Sequence, residues 1–267
     1  MSTADQGQVT ATAATVYEEF FVPALLAQWT EPMIDAAGIR AGHRVLDVAC
    51  GTGVLARAVA ATVGPQGRVV GLDLNDGMLD VARRKEPQIE WLLGRAEDLP
   101  FRDGEFDAAV SQFGLMFFED RTRAVAEMVR VVRGRGRAAI AVWGRLDRSP
   151  GYLDLTALLD RLFGRGARDA LAAPFVLGDE EALRTILTDA GLTAVEVTAR
   201  DGVARFPSLE SWMETEIRGW TLADALDDAA FDRLVVEAQR DLHRHVQHDG
   251  SVVFPIQALV ARGSVAG

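Results

Sequence analysis

Gly51-Thr52-Gly53 lies between a short apolar run, Arg44 to Ala49, and a segment of helical spacing from about Val54 to Val63. A glycine-rich turn between a strand and a helix lets a ligand approach the backbone closely and meet the N–H groups of the helix N-terminus. Two acids flank this turn. Asp47 sits inside the apolar run, and Asp73 follows Gly51 by 22 residues, at the end of a second apolar run, Arg68 to Leu72. Gly51 to Ala56 satisfies G-x-G-x-x-A, which together with Asp73 suits an NAD-binding turn. Asp47 separates the alternatives. A carboxylate at the strand end repels a pyrophosphate but favours a ligand bearing an ammonium or sulfonium charge. Asp73 would accept hydrogen bonds from two ribose hydroxyls in either case.

Other residues that could do chemistry are few. Cys50 is the single cysteine, so there is neither an internal disulfide nor a cysteine-based zinc site, and with no histidine beside it we read it as structural. His243, His245 and His248 form the one histidine cluster, with Asp241 four residues before His245. No third converging ligand is visible, so no metal is expected. His245, oriented by Asp241, is kept as a general-base candidate, and Tyr17 as a second catalytic candidate that could cover the ligand's charged end. Phe113, Met116, Phe117 and Phe118 cluster after the fourth strand. Phe113 and Met116 are the ones expected to touch an acceptor, with Phe117 and Phe118 assigned to the core.

These residues need a scaffold that brings strand ends together. Strands are expected at Arg44–Ala49, Arg68–Leu72, Ile89–Leu93, Phe106–Ser111 and Gly136–Trp143, alternating with helices at about Val54–Val63, Asp76–Lys85 and Arg121–Val132. Such alternation predicts right-handed βαβ units, a parallel sheet and helices on both faces, with ligands held outside the carboxyl ends of the strands. Val16–Ala37 has helical spacing with Pro23 near its middle. A helix at Glu180–Ala190, a strand at Leu192–Thr198 and a last strand at Val252–Ala261 complete the pattern. We expect one domain over 1–267. Its core spans about 38–145, 179–200 and 251–262, and helical insertions at about 146–178 and 208–248 fold over the cleft.

Composition narrows the partners. The 267 residues carry 39 acidic against 28 basic side chains, a net charge of −11, which argues against nucleic acid or an anionic membrane as the main partner. With 49% hydrophobic and 25% charged residues the chain can bury a core, and no apolar run approaches a membrane span. The N-terminus lacks the pattern of a signal peptide, and a cytoplasmic protein is expected. Lys85 is the only lysine, an oddity assigned to base composition.

Val45-Leu46-Asp47-Val48-Ala49-Cys50-Gly51-Thr52-Gly53 resembles the first motif of the class I S-adenosylmethionine-dependent methyltransferases. The motifs after it resemble theirs in order: Gly71-Leu72-Asp73-Leu74-Asn75-Asp76-Gly77-Met78-Leu79, Gly94 to Phe101, Phe106 to Gly114 and the Arg133–Arg137 turn. The likeness covers about residues 40–145 and is to small-molecule enzymes related to those of ubiquinone and menaquinone synthesis. It implies a Rossmann-like α/β fold with a seven-stranded, mostly parallel sheet, one antiparallel strand near the C-terminus and helical cap insertions. It also implies methyl transfer from S-adenosyl-L-methionine to a small-molecule acceptor, releasing S-adenosyl-L-homocysteine.

Carried over by position, Asp47, Ala49, Gly51, Thr52 and Gly53 would lie against the methionine part, with Asp47 near its ammonium group. Asp73 would bind the ribose, and Leu74 and Met78 would pack against the adenine. Ala96 and Glu97 would sit at the adenine edge, and Ser111, Gln112 and Phe113 would line the sulfonium end. The family often has Gly where Ala49 stands, which costs little if Ala49 keeps a negative φ, and an acid or Asn where Arg95 stands, so backbone atoms would carry the adenine-amine contact. Met116, Trp143, Trp212 and Trp220 are the expected acceptor-pocket residues. An NAD-dependent oxidoreductase and a non-catalytic S-adenosylmethionine-binding protein remain the alternatives, and a homodimer is left open.

Overall fold

The computed structural model describes residues 11–218 and 227–267. Among them, seven strands form one sheet: β1 (Arg44–Val48), β2 (Arg68–Asp73), β3 (Glu90–Leu93), β4 (Phe106–Gln112), β5 (Val132–Trp143), β6 (Thr193–Phe206) and β7 (Val252–Ser264). Their order is β3-β2-β1-β4-β5-β7-β6. The first five are parallel to their neighbours, and β7 runs antiparallel to both β5 and β6. The central strands are continuous apolar runs because helices cover both faces. Val45, Leu46, Val48, Val70, Ala109 and Val110 are all fully buried.

Helices α3 (Val54–Val63), α4 (Asp76–Lys85) and α5 (Arg121–Val131) follow β1, β2 and β4 as crossovers. Asn75 caps α4 by accepting from the Met78 N–H at 3.1 Å, and Asp120 caps α5 through the Arg123 N–H at 3.0 Å. The chain order reverses between β1 and β4, which share an edge in the middle of the sheet. That reversal opens a crevice at their carboxyl ends, the switch point where ligands of open α/β sheets sit.

Three elements depart from the sequence reading. The expected single helix over 16–37 is broken into α1 (Ala11–Val16), a π-helical stretch over Tyr17–Leu26, one 3-10 turn and α2 (Thr30–Ala37). Pro23 is the cause: it has no N–H to give to the ladder, and the chain widens until Ala27 N–H bonds to Val22 C=O five residues back. Strand β5 begins at Val132 rather than Gly136. Strand β6 reaches Phe206 rather than stopping at Thr198, paired with β7 to its end at Phe206↔Val252.

The expected insertions are helical. The first contains α6 (Pro150–Phe163) and α7 (Arg165–Ala172), and α8 (Glu180–Asp189) follows it. The second contains α9 (Leu209–Arg218) and α10 (Asp228–Asp241). Gln28, after the π-helical stretch, ties the N-terminal segment to the edge strand. Its side chain donates to Val203 C=O at 3.0 Å and accepts from Val203 N–H at 2.9 Å, as a neighbouring strand would.

Candidate functional site

The β1–α3 turn is built by sterics. Gly53 has φ +86°, and a Cβ there would lie 2.4 Å from the Trp91 ring, which also covers Gly71. Only glycine lets the start of α3 pack this closely against β2 and β3. Ala49 stands at φ +57°, in the left-handed region, so the condition under which alanine would cost little here is not met. The next residue's N–H is tied to Leu72 C=O of β2 at 3.0 Å, which holds the backbone here, and alanine pays for it with strain of about 1–2 kcal/mol. Ala49→Gly is therefore expected to stabilise the protein by about 0.5–1 kcal/mol after the extra entropy of an unfolded glycine is counted, read as a higher midpoint in denaturant melts.

A cleft of about 290 Å³ opens at this turn, lined by Asp47, Ala49, Cys50, Val54, Leu55 and Gln112, with Tyr17 and Leu26 above them. Asp47 is 1% exposed, and neither of its carboxylate oxygens makes a formed hydrogen bond. Burial, opposed by the Ala56 amide and reinforced by the nearby Asp73 carboxylate, pushes its pKa up to about 8. The buried hydroxyls of Thr52 and Ser111 and the Gln112 amide oxygen also lack partners, while the Gln112 amide nitrogen donates to Leu26 C=O at 3.2 Å. Cys50 is buried, and its thiol pKa is pushed up by burial and by Asp73 and Asp47, so it is no nucleophile.

Asp73 ends β2 and holds the turn. Its carboxylate accepts from Gly51 N–H and from Asn75 N–H, each at 2.8 Å. The next motif is brought beside it, because Gly94 N–H donates to Asp73 C=O at 2.9 Å. There Ala96 is buried, and Glu97 accepts from Glu119 N–H at 3.1 Å. Arg95 turns outward to pair with Glu119 at 2.8 Å. Leu74 is exposed, and Met78 packs against Ala14 and Val81.

A second, larger cleft of about 510 Å³ adjoins the first, since Tyr17 and Leu26 line both. Its walls are apolar and aromatic: Phe21, Leu25, Phe113, Phe117, Trp143 and Phe175, with Leu171 and Pro174 from the first insertion. Phe113 has φ +58°, and its ring stacks on Trp143 at 3.8 Å and 15°. One carboxyl faces this cleft. Glu216, on α9, is 3% exposed and accepts from the Tyr152 hydroxyl at 2.5 Å; burial pushes its pKa up to about 8. Neither residue was picked out from the sequence. The one signal was a glutamate a helical turn after Trp212 in an amphipathic run, a spacing too common to single out.

Of the expected acceptor-pocket residues, Trp143 lines the cleft. Trp212 is fully buried behind Tyr152, against Phe206 and Phe254, and belongs to the core. Met116 is turned into the core while Phe117 faces the cleft, the reverse of the sequence expectation. Trp220 lies outside the described residues. His245 lines neither cleft. It occupies a 3-10 turn, packs on Trp212 and Phe254, and bonds Asp154 at 2.6 Å, while Asp241 pairs with Arg161. The helical face that would have joined His245 to His248 does not form. Among the described residues no group of three or more potential ligands is placed to hold a metal.

A methyltransferase-domain family model matches residues 46–140. The chain is 32% identical over 183 residues to the ubiquinone/menaquinone biosynthesis C-methyltransferase UbiE of Pseudomonas putida, covering 62% of this chain and 72% of that protein. The chain belongs to the class I S-adenosylmethionine-dependent methyltransferases. The UbiE protein of Hahella chejuensis is 42% identical over 118 residues, which span 42% of this chain and 47% of that one. Haemonchus contortus phosphoethanolamine N-methyltransferase 2, solved with S-adenosyl-L-methionine, shares the fold at a TM-score of 0.63 and 19% identity, over all of this chain and 60% of that one. The [4+2]-cyclase SpnF shares it at 0.57 and 19%, over 91% and 82%.

Membership decides between the two readings of the glycine turn, and the NAD alternative falls. The methyltransferase closes the shared mouth of its clefts with the π-helical stretch. Glu18 there is buried and pairs with Arg57 of α3 at 2.9 Å and with Lys85 of α4 at 3.3 Å, so the only lysine has a structural task. Arg57 also donates to Thr52 C=O at 2.5 Å. Glu18→Ala is expected to loosen this strap and weaken S-adenosylhomocysteine binding by about fivefold, mainly through faster dissociation, as stopped-flow displacement would read it.

Proposed function

We propose that the methyltransferase transfers a methyl group to a small, largely apolar acceptor held in the aromatic cleft, with the donor in the cleft at the glycine turn. One observation carries this reading: the cleft containing the unpaired Asp47 carboxylate shares Tyr17 and Leu26 with a cleft walled by aromatic rings. The donor's residues fit it. Asp47 lacks the positive partner that an α-ammonium group would supply. Asp73 uses part of its acceptor capacity on Gly51 and Asn75, which leaves lone pairs for two ribose hydroxyls. Leu74, Ala96 and Glu97 stand at the strand ends where an adenine would lie, and Gln112 and Phe113 at the sulfonium end. Met78 joins them only if Ala14 shifts, since the two are in contact.

A sulfonium is already an activated methyl donor, so the protein's share is alignment and exclusion of water. Tyr17 covers Gly51, its ring within 4 Å of where a Cβ would stand, and its phenol is held neutral by burial and the nearby carboxylates. It shields the junction of the clefts and does not act as a base. The UbiE relatives are named for ubiquinone and menaquinone biosynthesis, which agrees with an aromatic acceptor cleft. No described helix is long and apolar enough to cross a membrane. A single domain in the cytoplasm, acting on neither nucleic acid nor membrane, accords with this reading and with the charge of −11.

Titration calorimetry with S-adenosylhomocysteine and then NAD tests the donor site. Micromolar binding of the first alone is expected. Binding of NAD instead would overturn the assignment of Asp47. Turnover of S-adenosylmethionine against a panel of aromatic acceptors then tests the second cleft.

A further inference from the structure

We infer that Glu216, held by Tyr152, is an acceptor-reading group that takes a hydrogen bond from the hydroxyl of a planar aromatic acceptor in the aromatic cleft. This rests on the functional reading above and narrows its substrate class. Glu216 is the only carboxyl among the residues described as lining that cleft. Its one formed hydrogen bond among the described residues is from Tyr152. The Trp212 indole N–H, a turn earlier, is near enough to lower the carboxyl's pKa but makes no formed bond. The carboxyl therefore keeps acceptor capacity facing an apolar space, where an unmet polar group is costly.

A structural role alone explains this pair poorly. Replacing both partners of a buried hydrogen bond by apolar groups of the same shape can be nearly neutral or even stabilising, so folding alone gives little reason to keep this pair. A ligand hydroxyl supplies the second donor that Glu216 lacks. The flat wall made by Phe113 stacked on Trp143, with Phe175 tilted at 5.3 Å from Tyr152, suits a planar ring rather than a bulky aliphatic one. A site built to hydrogen-bond a hydroxyl rejects the analogue without one, because its polar group is then left unpaired.

The probes are α-naphthol and its methyl ether, titrated into the full chain saturated with S-adenosylhomocysteine, on the alkaline side of neutrality where the Glu216 carboxyl ionises. The wild-type protein is expected to bind α-naphthol at least about tenfold more tightly than the ether. Glu216→Leu brings this ratio close to one while leaving the ether's affinity intact. Glu216→Gln, which preserves shape and hence folding, also lowers the ratio, because its amide donates equally well to either oxygen. Tyr152→Phe leaves the carboxyl but not its orientation, and gives an intermediate ratio. A structural role would weaken both probes alike. Equal affinities in the wild type, no binding of either probe, or an unchanged ratio in both Glu216 variants would overturn the inference. Failure to bind S-adenosylhomocysteine would instead strike the donor reading.

Discussion

Asp73→Ala is expected to weaken S-adenosylhomocysteine binding by about two to four orders of magnitude, enough to remove it from the range of titration calorimetry. Each hydrogen bond from a ribose hydroxyl to an ionised carboxylate contributes about 1.5–3 kcal/mol, and two are lost together. A further loss comes from the turn itself. The Gly51 and Asn75 N–H groups, each 2.8 Å from the carboxylate, lose the acceptor that fixes the backbone around the donor cleft. Asp73→Asn separates the two contributions. Its amide oxygen can serve one of these N–H groups, but its NH2 faces the other as a second donor. It is expected to bind more weakly than wild type and to melt a few degrees lower, because one turn N–H then faces another donor. An unchanged Kd in Asp73→Ala, with the protein folded, would remove the ribose role.

Asp47→Asn is expected to move stability and binding in opposite directions. In the free protein Asp47 holds its proton until about 8, against 3.8 for an ordinary aspartate. Between those values the native state binds more protons than the unfolded state, so Asp47 costs stability as pH rises through that window, by up to about 1.4 kcal/mol per pH unit. Above the window the cost is constant. Asparagine removes it but leaves an unpaired amide, so the net gain at slightly alkaline pH is on the order of 1–3 kcal/mol, a rise of several degrees in a thermal melt. Binding responds the other way. An ammonium ligand needs Asp47 ionised, so wild-type affinity should climb about tenfold per pH unit below 8 and level off above it, with a proton released on binding. Calorimetry in buffers of different ionisation enthalpy measures that proton. Asp47→Asn should lose the release, the pH slope and most of the affinity. Proton release persisting in the variant would assign the titration to another group.

The turn proposed to hold the donor was legible because it is local. Asp47, Gly51, Gly53 and Asp73 lie at the ends of two consecutive strands, where chain order, apolar runs and a φ-demanding turn are all written in neighbouring residues. The core strands β1, β2 and β4 were legible for the same reason: burial on both faces leaves unbroken apolar runs. Strand β6 was cut short because its second half, Ala199 to Val203, is mostly exposed and carries Arg200, Asp201 and Gly202. Its pairing with β7 supplies what its sequence pattern lacks. His245 misled because helical spacing was assumed where the chain turns, and its carboxylate partner, Asp154, is distant in sequence.

By itself, then, the sequence determined the doubly wound sheet, the switch-point crevice and the glycine turn at which we propose the donor binds. Each depends on backbone geometry and strand order, which short segments encode. Only the tertiary structure shaped the aromatic cleft proposed for the acceptor. Tyr152 and Glu216 are 64 residues apart and meet because two insertions pack over one sheet edge. Which side chains face the cleft, Phe117 rather than Met116 in the turn after β4 and Glu216 rather than Trp212 on α9, is settled by packing against the rest of the core. No local spacing carries that information.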